Sequence, residues 1–365
     1  MGVKVPLEEL PFWIAFSHIR GIGPVRFQKL LQVFGSAKDA FHASEKSLEE
    51  VVGKGTANLI LEARRTLQPE KLYEEVEREN LHVLTMEDEG YPMLLKNIYR
   101  PPFLLYLKGN FDFSCFDRYL AIVGTRNPTP YGRKVARVLA RELSAHFVIV
   151  SGLALGIDGE VHRAVVQEEG ITIGVLGNGL RRVYPATHFR LACEIVEKGG
   201  ALLSEYPPSW EPRPENFPPR NRIISGLSQG VLVIEAPRKS GAMITASFAL
   251  EEGREVMAVP GPVFSPQSEG TNALIARGAA LVQSAQDVFE ALGLMWQGKK
   301  GEASESIELG EKETYLLSLI DYQGKFKEEL LEETSWPEGE FFQILLSLEM
   351  KGLIQEMWGG KVVRV

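Results

Sequence analysis

A chain of 365 residues is longer than one usual domain and, at 44% apolar, has ample material for packed cores, so roughly two or three domains are expected. No run of eighteen apolar residues occurs and the start MGVKVPLEEL lacks a charged-then-apolar leader pattern, which points to a cytoplasmic protein without a membrane segment. The formal charge of -8 argues against a uniformly basic nucleic-acid binder, and two cysteines with six unpaired histidines argue against a disulfide framework or a metal site; Cys115 and Cys193 read as buried thiols.

The chain opens with helices and short turns. From His18 to Phe41, a tight turn at Gly21-Ile22-Gly23-Pro24 precedes apolar residues at helical spacing, namely Val25, Leu30, Leu31, Val33 and Phe34. This stretch resembles a helix-hairpin-helix element, in which glycine amides approach a DNA phosphate; a packing unit without DNA contact is the alternative. GKGTANLI, from Gly53, reads as a degraded second copy. A turn-rich connection runs from Glu87 to Phe111. Strands are then expected near 119–123, 147–151, 172–176, 201–204, 230–235, 255–259 and 279–282, separated by helical stretches, which calls for a doubly wound sheet. Ser284 and Asp287 have the spacing of a capping box opening the last helix of this unit, which should end near Leu294. Linker composition follows over 297–310. Helices at about 311–320, 325–333 and 337–351, then a hairpin turning at Gly359-Gly360, spell a winged helix-turn-helix. The expected division is a small all-α domain with its connection over 1–110, an extended Rossmann-like α/β domain over 111–296, the linker, and a winged helix over 311–365.

Charge is not spread evenly. Residues 1–110 carry 14 basic and 15 acidic side chains, 111–305 carry 20 and 21, and 306–365 carry 6 and 12, so most of the deficit sits in the tail. In the middle unit six loops follow apolar, β-branched runs: Gly124 to Arg126, Ser151 to Asp158, Gly177 to Pro185, Ser204 to Pro208, Ala236 to Thr245 and Pro260 to Pro262. A parallel sheet gathers such loops at its carboxyl edge, in one cleft. Arg126, Arg181, Arg182, Arg220, Arg222, Arg238 and Lys239 all lie in or beside these loops, so a locally basic cleft on a neutral body is expected.

Two nucleotide chemistries are excluded by what the loops lack. The first strand is followed by GTRNPTPYG instead of GxGxxG, the second ends in Ser151-Gly152 with no acid for a ribose hydroxyl, and no GxxxxGK[ST] occurs. Anion binding at helix starts remains. Gly124, Gly152 and Gly241 would let a phosphate approach the main chain, Ser151, Ser240 and Thr245 offer hydroxyls, and Arg126, Arg220 and Arg222 offer planar bidentate donors unless structural salt bridges claim them. In FPPRNRIISGL a helix is expected to start near Arg220, placing Arg220 and Arg222 at its positive end, an arrangement that anticipates an anionic ligand. Phe217 and Phe189 could stack on bases, with core packing the alternative for each. Asp158 and His162 read as a helix cap and its next turn, not as an acid-base pair. Glu205, Glu235 and Glu251 keep open a glycosidic bond-cleaving enzyme.

AIVGTRNPTPYG, VSGLALGID, GVLGNGL with VYP, LLSEYPP, FPPRNRIISGL, VLVIEA with SGAMITASFALEEGREVMAVPG, and EGTNALIARGA together resemble the DNA processing protein A (DprA/Smf) family, from about Phe12 to Leu292. The resemblance implies an extended Rossmann domain after a sterile-alpha-motif-like domain, with a winged-helix tail in many members. It also implies a non-enzymatic role: binding single-stranded DNA during natural transformation, shielding it and loading the RecA recombinase, with self-association as a homodimer and single-strand-binding protein as a possible further partner. The family's arginine motif falls on Gly124, Thr125 and Arg126, its SGxAxGID loop on Ser151 to Asp158, and its FPxRNR segment on Phe217 to Arg222. Where many members carry a lysine after Tyr-Pro, this chain has Ala186, with Arg181, Arg182 and Arg190 as the candidates to substitute for it. The expected DNA-contacting set is Gly124, Thr125, Arg126, Ser151, Gly152, Phe189, Phe217, Arg220, Asn221, Arg222, Lys239, Ser240 and Gly241, with no catalytic residue, cofactor or metal. Related Rossmann domains include phosphoribohydrolases with a PGGxGT loop and a following glutamate; RKSGAMITASFALEEGR lacks that double glycine.

Overall fold

The structure is a computed structural model that describes residues 5–296, 309–321, 324–357 and 359–364. The expected linker over 297–310 lies, apart from its last two residues, outside the described residues.

Apolar residues crowd the first segment so densely that one helix is buried nearly all round. Helix α1 (Leu10–Ser17) buries Phe12, Trp13, Ile14 and Phe16, and α2 (Pro24–Phe34), α3 (Ala37–His42), α4 (Glu45–Val52), α5 (Lys54–Thr66) and α6 (Pro69–Arg78) pack about it. The turn before α2 works because Gly21 sits at φ +93°, and Pro24 opens the helix where its missing N–H costs nothing. The helices share their core with the sheet. The Phe27 and Phe103 rings stack at 4.2 Å, and the Ser17 and Tyr106 hydroxyls are 2.7 Å apart.

The sheet has nine strands: β1 (His82–Thr85), β2 (Leu104–Lys108), β3 (Tyr119–Val123), β4 (Val148–Ser151), β5 (Thr172–Val175), β6 (Ala201–Ser204), β7 (Gly230–Val233), β8 (Glu255–Ala258) and β9 (Ala280–Leu281). Their order is β1-β2-β6-β5-β4-β3-β7-β8-β9. From β3 to β9 every pairing is parallel, whereas β2 joins β6 antiparallel and β1 joins β2 antiparallel. The strands from β3 onward match the expected runs because strands buried on both faces read as unbroken apolar segments. The sheet, however, begins before the expected boundary at 110/111. His82–Thr85 and Leu104–Lys108 are short strands set among turn residues, so in the linear pattern they merge with the helical segment and its connection.

Short α7 (Met93–Lys96) lies between β1 and β2. Helices α8 (Pro130–Ser144) and α9 (Ile157–Gln167) cover one face of the sheet, and α10 (Phe189–Glu197) follows β5. On the opposite face lie α11 (Phe217–Leu227) and α12 (Gly241–Glu251), with α13 (Glu269–Ile275) and α14 (Ala285–Ala291) completing the unit. The spacing expected to cap α14 is realised: the Ser284 N–H donates to Asp287 Oδ2 at 2.8 Å.

The tail folds about its own core of Leu316, Leu330, Phe341, Leu345, Leu348 and Ile354. It comprises α15 (Glu311–Leu319), β10 (Lys325–Phe326), α16 (Lys327–Thr334), α17 (Glu338–Met350), β11 (Ile354–Met357) and β12 (Lys361–Arg364), with strand order β10-β12-β11. The helix expected from 325 starts two residues later, because Lys325 and Phe326 pair with β12.

Candidate nucleic-acid interface

From β3 the chain winds outward through β4, β5 and β6, then returns to place β7 on the other side of β3. Where a doubly wound sheet reverses direction, loops leaving adjacent strands diverge and a crevice opens. Here the crevice is a cleft of about 510 Å³ whose walls come from the loop after β3, the start of α11 and the turn into α12. It brings together Gly124, Thr125, Arg126, Phe217, Arg220, Asn221, Lys239, Ser240 and Gly241 from the expected set, with Tyr184 as a wall residue that the sequence reading did not single out.

Phe217 is central. Its ring centroid is 5.6 Å from that of Tyr184, and the guanidinium carbons of Arg126 and Arg220 lie 5.7 and 5.9 Å from it on the ring side. Gly177 admits the ring, since a Cβ there would come within 2.7 Å of it. The VYP motif is the signal that could have pointed to Tyr184: it follows β5 at the same sheet edge. Arg126 and Lys239 are exposed, and Arg126 makes no ion pair with a described residue.

Arg220 behaves differently from Arg126. It is 4% exposed, and its Nη1 donates to the Gly152 carbonyl at 2.8 Å and to the Val175 carbonyl, while Nε donates to Asn221 Oδ1 at 3.2 Å. Burial pulls its pKa down to about 10 against the pull of Asp158, so it stays cationic. Asp158 lies 6% exposed beside it, accepting the N–H groups of Gly152 at 3.1 Å and Ala154 at 3.4 Å. Burial pushes that carboxyl up, and the Arg220 charge opposes the rise. Arg220 therefore braces the cleft floor from behind, and its charge is largely offset.

Several expectations are corrected by this packing. Asp158 does not cap α9: the cap position is Gly156, and Asp158 closes the preceding loop. His162 is fully buried; Thr172 Oγ1 donates to the Ile149 carbonyl at 2.7 Å and so accepts from His162 Nδ1 at 2.8 Å. Burial, then the nearby His188, Arg163 and Arg220, hold the His162 pKa at about 3. The Ser151 hydroxyl donates to the Ile122 carbonyl at 2.7 Å, so it is spent inside the sheet. Gly152 is approached by protein, since a Cβ there would meet Arg220 and Asp158 at 2.8 Å. Gly124 likewise answers to Ile157, which a Cβ would meet at 2.6 Å. Helix α11 begins at Phe217 rather than Arg220, with its prolines inside the first turn. Arg222 consequently points away from the cleft, to a bidentate pair with Glu205 at 2.8 and 2.6 Å. Phe189 is 60% exposed at the start of α10 and is not part of the cleft wall.

The basic character is accordingly narrower than expected. Arg181 pairs with Glu79 at 2.6 Å, Arg182 with Glu211 at 2.8 Å and Arg190 with Glu194 at 2.9 Å, but all three side chains are more than half exposed, so these pairs are weak and leave each open to a competing phosphate. In the cleft wall the anion-receptive features are Arg126, Lys239 and the start of α12, and Arg238 is exposed next to Lys239 but is not part of that wall. There Gly241 is exposed with open space where a Cβ would stand, and among the described residues Ser240 Oγ has no hydrogen-bond partner. Thr245 Oγ1 donates to the Gly241 carbonyl at 3.3 Å.

A doubly wound fold extended by an antiparallel edge, with an anion-receptive cleft at its switch point, defines the class of protein. The chain belongs to the DNA recombination-mediator protein A family, whose sequence profile matches residues 82–293. Protein Smf of Escherichia coli K12 is 39% identical over 334 residues, 88% of each chain. DNA processing protein DprA of Bacillus subtilis is 46% identical over 215 residues, 59% of this chain and 72% of that one. The X-ray structure of DNA processing protein A from Streptococcus pneumoniae superposes with a TM-score of 0.68 at 34% identity, covering 80% of this chain and 98% of that one. That of the Helicobacter pylori protein, concerned with its single-stranded DNA binding mode, gives 0.53 at 32% identity over 58% and 95%. Among the described residues no helix is long and apolar enough to cross a membrane.

Proposed function

We propose that the cleft binds single-stranded DNA through its phosphates, with Arg126 and Lys239 as the exposed cations and the start of α12 as a further anion site. The observation that carries the reading is Arg126: an exposed guanidinium beside the Phe217 ring, free of any ion pair with a described residue, on the motif that the family resemblance assigns to backbone contact. Backbone amides and guanidinium groups that meet phosphates do not read base edges, so little base preference is expected. The H. pylori relative's single-stranded DNA binding mode supports the same ligand. Fluorescence anisotropy with a labelled oligonucleotide across a salt series tests it. Arg126→Ala should weaken binding and reduce the salt slope by about one; unchanged affinity and slope would place the site elsewhere.

The family resemblance further supports delivery of the bound strand to RecA by a homodimer, since two clefts on one strand raise the effective concentration. Strand-exchange assays and sedimentation test those two steps. On the same basis the helices before β1 are read as a sterile-alpha-motif-like unit with a helix-hairpin-helix turn, and the tail as a winged helix. We read that tail as a protein-interaction module. Its long helix α17 carries acidic residues in its first turn and exposes Phe342, Leu346 and Met350 in a stripe, a face poorly suited to duplex phosphates. The glycosidic-cleavage alternative loses support from the carboxylates themselves. Glu235 accepts the Thr129 N–H and hydroxyl at 2.9 and 2.5 Å, Glu205 is held by Arg222, and Glu251 faces a different groove.

A further inference from the structure

A groove of about 830 Å³ lies on the other side of the first turn of α11. Pro218 belongs to the walls of both hollows, with Phe217 on the cleft side and Pro219 on the groove side, so the two adjoin at one proline ridge. The groove runs between the Gly21–Gly23 turn and the segment around Tyr99. Its walls pair flat cations with aromatic rings. The Arg20 guanidinium lies 5.0 Å from the Trp210 ring centroid, and Trp210 is backed by Tyr206 in a near-parallel stack at 5.9 Å. Tyr99, 78% exposed, has the Arg100 guanidinium 5.1 Å from its own ring. A tyrosine so exposed contributes little to a core, and an exposed arginine over an indole offers its planar guanidinium to a further planar group.

The charges agree with a nucleic-acid strand but not with dense phosphate tracking. Glu205 is neutralised by Arg222. Glu251 and Glu252, the latter accepting the Tyr99 N–H at 2.9 and 3.1 Å, stand against the exposed Arg20, Arg26 and Arg100, an excess of one positive charge. A mostly apolar trough with a small cationic excess suits bases more than backbone.

We propose that this groove is a base-stacking subsite for the strand held in the cleft: DNA leaving the cleft crosses the Pro218 ridge and stacks bases on Tyr99 and on the Arg20–Trp210 pair. The inference rests on the cleft reading above, and it gives the glycine turn before α2 a place beside the DNA path.

The test uses the full chain and oligothymidylates of about 5 and about 20 nucleotides, the shorter chosen to fill the cleft alone. Tyr99→Ala and Arg20→Ala should each weaken binding of the longer strand by about five-fold or more and leave the shorter unchanged. Both side chains are exposed, and an unchanged thermal midpoint will verify that the variants fold. Arg126→Ala should weaken both lengths. Photocrosslinking of iodouracil-bearing long strands should yield adducts on the peptides containing Tyr99 or Trp210. No loss on the longer strand, an equal loss at both lengths, or adducts confined to Tyr184 and Phe217 would overturn the proposal. If Arg126→Ala changed neither length while the groove variants weakened the longer strand, the cleft reading would fall and the groove would stand as the binding site. Absence of binding by the unaltered protein at either length would overturn both.

Discussion

Replacing Arg220 with methionine should damage the protein through Asp158 more than through lost DNA contact. The substitution keeps most of the side-chain volume but removes the donors to Gly152, Val175 and Asn221, leaving a carboxylate 6% exposed with two backbone amides for company. Breaking a buried pair of charges in this way typically costs about 3–5 kcal/mol. The carboxyl sets its own ceiling, because it can escape by taking up a proton. From its ordinary value of 3.8, protonation at pH 7 costs about 4 kcal/mol, and at pH 5 only about 1.6. Burial already raises this pKa in the intact protein, and loss of Arg220 raises it further. A carboxyl raised on folding favours the folded state fully below its unfolded pKa and loses that benefit as pH rises. The deficit of the variant relative to the intact protein should therefore be largest at pH 7 and shrink toward pH 5. At roughly 2–4 °C per kcal/mol for a unit of this size, the melting temperature should fall by roughly 8–16 °C at pH 7. Differential scanning calorimetry at the two pH values measures it. Adding Asp158→Asn to Arg220→Met should recover most of the loss and flatten its pH dependence. A deficit equal at pH 5 and pH 7, or one that the second substitution fails to relieve, would refute the reasoning.

Gly156→Ala should destabilise the protein by at least ~2 kcal/mol and disturb the Arg126 loop, because Gly156 sits at φ +80° and a Cβ there would meet the Arg126 carbonyl carbon at 2.6 Å; denaturant midpoints and oligonucleotide affinity should fall together. Burial of neutral His162, with its pKa near 3, means stability present above the unfolded value near 6.5 is lost as pH falls below it, by about 2 kcal/mol at pH 5. His162→Asn should flatten that part of the urea-midpoint profile, and a slope identical to that of the intact protein would count against it. Removing residues 306–365 should leave single-stranded DNA affinity within about twofold, since phosphate contacts dominate such binding and this segment carries 12 acidic against 6 basic residues; a larger, salt-sensitive loss would show that the tail holds DNA.

The strands from β3 onward and the family were legible in the sequence for one reason. A strand buried on both faces must be apolar along its whole length, and the loop after it carries the glycines and polar groups that the sheet edge exposes. Gly124 to Arg126, Phe217 and Ser240-Gly241 could thus be assigned to one cleft without coordinates. Linear pattern did not reveal which face of α11 each arginine takes. Arg220 and Arg222 stand two residues apart on a helix, so they diverge by more than half a turn: one reaches under the cleft to Gly152 and Asp158, the other crosses to Glu205. Nor could it assign partners to Arg181 and Arg182, whose carboxylates lie 102 and 29 residues away. The glycines of the cleft loops carried the same ambiguity. Sequence demanded small residues at 124 and 152, and only packing decided that Ile157 and Arg220, not a phosphate, occupy the space. Charge and glycine can be read residue by residue, whereas the cancellation of a charge and the filling of a gap depend on residues that meet only when the chain has folded.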